Sequence, residues 1–404
     1  MTHRIKAYSA RIALLPLVAV AWLLAAECIA HGQPITYAPP VLSDDLDPES
    51  LRRAIRQSIV YLEKLPPDRI VGEQPRRLTA KEVLNSLLSF EPLLERWDCR
   101  ECRSKEIQAR FDLVASSSDP AAETVLFTGY YQPVIEASLV PTAEYIYPIY
   151  GKPADLIVAE QVKLAPVMTT EKIFGRLEAE DFVPYYSRRE IDQQGILRGR
   201  GYEIAWVKNP VDLFFLHIQG SGVLQLSDGR RLNVGYAAAN GRAYRSIGRS
   251  LIDSGKVPQE EMSMQRLRRY FVDHPEEQND IMAYNESYIF FRFLEDGPSG
   301  SLEVPLTPGR SIATDARIFP KGALAFAVTE KPVVDAAGQL AGWEPLARFV
   351  VNQDSGGAIR GSQRADIYFG SGPEAGAAAG YMNRPGKLYF LLLKNPSGPP
   401  AMTK

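Results

Sequence analysis

Three aspartates near the C-terminus stand where turns meet apolar alternation: Asp315 in SIATDARIFPKGA, Asp354 in VVNQDSGGAIRG and Asp366 in RADIYFG. A single aspartate in a turn usually serves only the local backbone. Here two of them flank the Gly356-Gly357 pair, and glycine lets a chain pass close to a ligand or turn through positive φ. Such a turn can bring Asp354 and Asp366 to one wall of a cleft. A carboxyl group that is partly desolvated, or beside another, holds its proton nearer neutrality. That is what protonation of a glycosidic oxygen requires.

Other chemistries lack their residues. There are four histidines, with no HExxH pair to hold zinc. No GxSxG elbow or SxxK occurs, and GSGVLQLSDG has no Lys-Ser/Thr to cradle a phosphate. His217, in the apolar LFFLHIQ, reads as a packed strand residue, and His274 precedes a proline at a helix end. Cys99-Arg-Glu-Cys102 is too small a set for zinc, and in an oxidising compartment it can close a local disulfide. No metal and no cofactor are expected. A net charge of −2 offers no basic field for nucleic acid, so a polysaccharide or a small ligand suits it better.

The elements that must position these residues follow from patterning. In the 404-residue chain, basic residues precede an apolar run from Ile12 to Ala26, too short to span a bilayer, which predicts a signal peptide over 1–30 and a periplasmic protein. A retained membrane anchor is the alternative. Lipidation at Cys28, which would tie the chain to the outer membrane, wants a small residue where Glu27 stands, so soluble export is expected. A Pro- and Asp-rich linker follows over 31–48. Leu51, Ile55, Ile59 and Leu62 then fall at helical spacing, and Thr79 with Glu82 makes a capping box for a second helix that Pro92 interrupts.

After Ala122 the texture turns aromatic and β-branched. VDLFFLHIQGSGVLQLSDGRRLNVGYA reads as successive strands with a hairpin at Asp228-Gly229. Tyr244, Ile247, Leu251 and Ile252 return to helical spacing, with Gly255 as the C-terminal cap and a further helix up to Pro275. YIFFRF, SLEVPLT, ALAFAV, ARFVVNQ, ADIYFG and KLYFLLL then predict short strands of a small barrel. The fold class is mainly β with helices (α+β), with a second β-rich domain over 125–239 inserted into a domain made of 49–124 and 240–397.

Several segments, in order over about residues 80–395, resemble the membrane-bound lytic murein transglycosylase A family: FTGYYQPVIEAS, FFLHIQGSGVLQL, NGRAYRSIGRSLI, VPLTPGRSIATDARIFPKG and DSGGAIRGSQRADIYFGSGPEAGAAAGYMNRPG. The resemblance implies a double-psi β-barrel carrying the aspartates (about 300–394), a second β-rich domain, and a glycan groove between them. It also implies cleavage of peptidoglycan between N-acetylmuramic acid and N-acetylglucosamine. The muramyl C6 hydroxyl attacks its own C1 and leaves a 1,6-anhydro end. By that resemblance Asp366 matches the single acid/base, and Asp354 and Asp315 match the two aspartates that hold and tune it. SQRA before Asp366 departs by one residue from the family spacing, which bears on the shape of this loop.

Thr128, Tyr130, Tyr131, Gln219, Ser221 and Tyr368 have the aromatic, amide and hydroxyl character that suits a glycan cleft, with Gly356 and Gly357 at its wall. The expected partner is the peptidoglycan strand, bound by a monomer, with association to the outer membrane or the wall-synthesis machinery open. A glycan-binding module without catalysis and an ordinary muramidase remain the alternative readings.

Overall fold

The computed structural model describes residues 42–116, 124–163, 169–295, 297–357 and 359–394. The expected signal peptide and most of the linker lie outside the described residues. Residues from Leu42 onward form one compact unit.

Helix α1 (Pro48–Glu63) starts at Asp47, whose side chain accepts from Ser50 N, with Pro48 in the first turn where a missing N–H costs nothing. A two-stranded ribbon, β1 (Ile70–Gly72) with β2 (Leu78–Thr79), leads into α2 (Ala80–Phe90), which carries the predicted Thr79–Glu82 capping box. Pro92 turns its end into a 3₁₀ segment. Helix α3 (Arg100–Arg110) follows, with Cys99 and Cys102 joined by a disulfide at its start. Strands β3 (Phe111–Ala115) and β4 (Val125–Gln132) then enter the main sheet.

At Pro133 the chain leaves for a second unit. Strands β5 (Val134–Ser138) and β6 (Tyr147–Tyr150) come first. A separate three-stranded sheet follows, of β7 (Ile157–Lys163), β8 (Thr169–Glu178) and β9 (Asp181–Pro184). After β10 (Glu203–Val207) come α4 (Pro210–Gln219), β11 (Ser221–Leu226) and β12 (Arg231–Ala239). Helices α5 (Ile247–Asp253), α6 (Met264–Asp273) and α7 (Gln278–Tyr284) precede β13 (Ile289–Leu294), which closes the sheet order β13-β12-β11-β5-β10-β6.

The chain then returns to the main sheet through β14 (Ser311–Thr314), β15 (Leu324–Val334), β16 (Leu340–Ser355), β17 (Arg364–Ser371), α8 (Pro373–Tyr381) and β18 (Asn383–Leu393). Strand order β15-β16-β14-β17-β4-β18, with β18 pairing back to β15, closes a six-stranded barrel. Strands β14 and β16 are parallel, as are β17 and β4. The barrel's apolar residues share one core with α1 and α2, including Leu51, Ile55, Leu87, Phe90, Phe326 and Phe349. Arg310 and Asp44, both with fully buried side chains, pin the chain entering α1 to the barrel, and Arg310 also donates to Phe349 O and Asp47 O.

Several expectations need correction. Residues 210–219 form a helix rather than a strand: Asn209 caps Val211 N, Pro210 opens the first turn, and Gly220 ends it at φ 75°. The hairpin at Asp228-Gly229 is present between β11 and β12. Tyr244 lies before α5, not in it, and SLEVPLT (301–307) makes only an isolated bridge at Pro305. By strand pairing, the main sheet gives way to the second sheet at Pro133 and resumes after Leu294. The reason is that β4 bonds to β17 and β18, whereas β13 bonds to β12.

Candidate active site

Strand register builds the site. Asp366 on β17 pairs with Thr128 on β4 to one side and with Ala313 on β14 to the other, and Ala313 pairs with Asp354 on β16. Registered residues project to the same face, so Thr128, Asp366, Ala313 and Asp354 form one row across four strands. The two carboxylate-bearing backbones are therefore two strand spacings apart, about 10 Å, with only the methyl of Ala313 between them.

A bulge puts Asp354 on this face. Ile312 pairs with Asn352 but Ala313 with Asp354, so Gln353 is the extra residue. Without it Asp354 would register with Thr314 and face the other way. Gln353 is fully buried and held by Ala54 O, Ser58 Oγ and Ser311 Oγ, so α1 anchors the irregularity.

Both oxygens of Asp366 have partners. Oδ1 accepts from Thr128 Oγ1 at 2.5 Å and Arg364 Nε at 2.9 Å, and Oδ2 accepts from Arg364 Nη2 at 2.9 Å. Asp354 is half-buried, and its Oδ1 accepts the backbone N–H groups of Ser301 and Ser355, each at 2.8 Å. Burial pushes its carboxyl up to about 6, against the pull of those donors, with the charge of Asp366 adding to the rise. One step along the same face, Tyr130 and Tyr368 register with each other, their rings 5.3 Å apart. The Tyr130 hydroxyl is buried near Asp354, and burial with the charge of that carboxylate holds its proton firmly.

Asp315 stands off the row, in the turn after β14. Its side chain accepts from Arg317 N, Nε and Nη2 and from Gly361 N at 2.8 Å. Burial opposes its ionisation, but the Arg317 hydrogen bonds and the Gly361 N–H outweigh that and draw it down to about 2. It clasps the connection between β16 and β17 and makes no hydrogen bond to either other aspartate among the described residues.

Gly356 and Gly357 lie in that connection without left-handed backbone. Positive φ falls instead on Gly361 (77°), Gly370 (110°) and Gly372 (90°). The Gly-Gly pair does not set Asp354 directly beside Asp366, because β14 lies between their strands. Tyr131 points to the opposite face of β4 from Tyr130 and packs against Gly376 of α8. Gln219, at the end of α4, accepts from Tyr131 N at 3.0 Å, and Ser221 opens β11 opposite Gly235. These three sit at the junction of barrel and second unit, where Tyr131 helps line a cavity of about 320 Å³ with Gln265 and Arg268. The structure does not bring them to the aspartate row.

Sequence reasoning missed Arg364 and Tyr244. Arg364 precedes Asp366 by two residues in an alternating strand, which was the available signal for a shared face. Tyr244, from the second unit, is 39% exposed and feels the charges of both Arg364 and Asp366. It therefore lies within electrostatic reach of the Arg364–Asp366 pair. His217 is a buried helix residue beside Arg188, whose Nη1 lies 2.8 Å from Nδ1. Burial and that cation keep the ring neutral. Among the described residues, His274, Glu276 and Glu277 come within metal-binding distance of one another, but Glu277 is already engaged by Lys256 and Tyr270. No described helix is long and apolar enough to cross a membrane.

Known proteins resemble this chain in sequence and fold. The MltA specific insert domain matches residues 126–292, and the 3D domain matches residues 310–392. The membrane-bound lytic murein transglycosylase A of Escherichia coli K12 is 39% identical over 270 residues, 66% of this chain and 65% of that protein. The crystal structure of membrane-bound lytic murein transglycosylase from Agrobacterium tumefaciens is 33% identical, with a TM-score of 0.70 over 86% of this chain and 93% of that one. The crystal structure of E. coli MltA with bound chitohexaose is 31% identical, with a TM-score of 0.63 over 85% and 90%. The chain belongs to the membrane-bound lytic murein transglycosylase A family.

Proposed function

We propose that the protein is a peptidoglycan lytic transglycosylase in which Asp366 alone carries both proton transfers. The observation that carries this reading is the Asp366 site itself. One carboxylate is held at both oxygens by Thr128 and Arg364, and among the described residues no second carboxylate is hydrogen-bonded to it. An ordinary glycosidase divides acid and base or nucleophile between two carboxyl groups. One carboxyl suffices when the substrate supplies the nucleophile.

In the proposed step the protonated Asp366 gives its proton to the glycosidic oxygen as the muramyl C1–O bond breaks. The resulting carboxylate then takes the proton of the C6 hydroxyl as O6 bonds to C1. The bond to N-acetylglucosamine is replaced by an internal 1,6-anhydro bond, no water is consumed, and Asp366 ends protonated as it began. Asp354, two strands away in the same row, tunes the field around Asp366, while Asp315 holds the connecting loop. Tyr130 and, from the second unit, Tyr244 offer flat faces for sugar rings, whereas Tyr368 is buried and supports the Tyr130 ring from beneath.

The chitohexaose bound in the E. coli structure supports a linear glycan as the ligand class. Export to the periplasm and action as a monomer on murein complete the reading. Digestion of purified sacculi followed by mass spectrometry tests it. Products ending in 1,6-anhydromuramic acid are expected, whereas reducing muramic ends would show an ordinary muramidase and absence of products a binding module.

A further inference from the structure

We infer that Arg364 is the positioning residue for Asp366, fixing the plane of its carboxyl group and leaving Oδ2 as the oxygen that exchanges protons with substrate. This rests on the transglycosylase reading above. Arg364 and Asp366 are two apart on β17 and share a face, and the guanidinium meets the carboxylate through two N–H groups, one to each oxygen. Such a fork constrains rotation about the carboxyl axis, which a single bond from Thr128 does not. Arginine stays protonated, so it acts through Asp366 rather than as an acid itself.

The two oxygens are not equivalent. Oδ1 accepts two bonds, from Thr128 Oγ1 and Arg364 Nε, whereas Oδ2 accepts one, from Arg364 Nη2. Oδ2 thus has a lone pair to spare. Nη2 also lies 3.3 Å from Thr128 Oγ1. When Oδ2 takes up a proton, Nη2 has that second acceptor at hand, and Nε keeps Oδ1 in place. Arg364 is one-third exposed while Asp366 is 13% exposed, so the fork stands at the solvent side of the acid and covers it.

The test uses Arg364→Ala and Arg364→Lys in the full chain, with turnover and KM measured on sacculi. Displacing a catalytic group by about 1 Å costs about 10²-fold, so kcat of Arg364→Ala should fall by about that factor with KM little changed. Arg364→Lys, which keeps charge but loses the fork, should also fall. Added guanidinium ion should restore part of the alanine variant's kcat and do nothing for Asp366→Asn, a response that a purely structural arginine would not give. Unchanged or raised kcat in Arg364→Ala, a loss confined to KM, or no guanidinium rescue would overturn the inference. A wild-type protein that makes no anhydro ends defeats the transglycosylase reading instead, so the two failures are distinguishable.

Discussion

Replacing Asp315 by Asn keeps the side chain's shape and removes the charge from the clasp on the β16–β17 connection. In the folded chain this carboxyl titrates at about 2 rather than 3.8. That difference of nearly two units corresponds to about 2 kcal/mol in favour of the folded state. The amide would also turn a donor toward Arg317 or Gly361 N, since those groups only donate. The sign follows from a depressed folded value. The contribution is fully present above 3.8, begins to fall as the unfolded chain protonates, and is gone once pH drops below about 2. Urea titrations of both proteins should show the variant about 2 kcal/mol less stable at neutral pH, with the gap narrowed by roughly 1 kcal/mol at a pH near 3. A gap that does not change with pH, or no gap at neutral pH, would refute the assignment of Asp315 as an ionised clasp.

Three more perturbations follow from the packing. Arg310→Met leaves Asp44 buried without its cation, and loss of one partner from such a pair costs about 3–5 kcal/mol, readable as a lower urea midpoint. Asp354 titrates at about 6 when folded, so the burial cost is absent below 3.8 and complete above about 6. Asp354→Asn, whose retained Oδ1 still accepts both backbone N–H groups, should therefore be more stable than wild type at pH 8 and equal to it near pH 4. About 3 kcal/mol is the ceiling on that gain, because solvent reaches part of the residue; equal stability at pH 8 would contradict it. At Gly129 an added Cβ would stand 2.7 Å from Ala379 Cα, so Gly129→Ala must push α8 from β4 at a cost of about 1–3 kcal/mol in thermal or urea unfolding.

Part of this arrangement was legible in the sequence. The alternation around Asp366 marks a carboxylate on a strand face, and Thr79 with Glu82 marks a helix start that the fold keeps. What could not be read locally was which strands become neighbours. The insertion of β14 between β16 and β17, and the bulge at Gln353 that turns Asp354 to the Asp366 face, depend on pairings between segments far apart in sequence. The strand reading of 210–219 failed for a different reason. A helix buried on most sides has an apolar run like that of a buried strand, and the caps Asn209 and Gly220 were the deciding signals. Tyr244 went unseen because its nearness to Arg364 and Asp366 joins segments far apart in sequence, and no periodicity within its own segment reports that.

The central claim is that one carboxyl group does both proton transfers, and Asp366→Asn tests it most directly. The substitution retains an acceptor for Thr128 and Arg364 Nε but can neither give a proton to the leaving oxygen nor take one from the C6 hydroxyl. General acid–base assistance is worth about 10²–10⁴-fold, and the same group serves both steps, so release of anhydro-muropeptides from sacculi should fall by at least that range. Sacculus binding should persist, since the groove walls are unchanged. Near wild-type release of anhydro-muropeptides by Asp366→Asn would contradict the account.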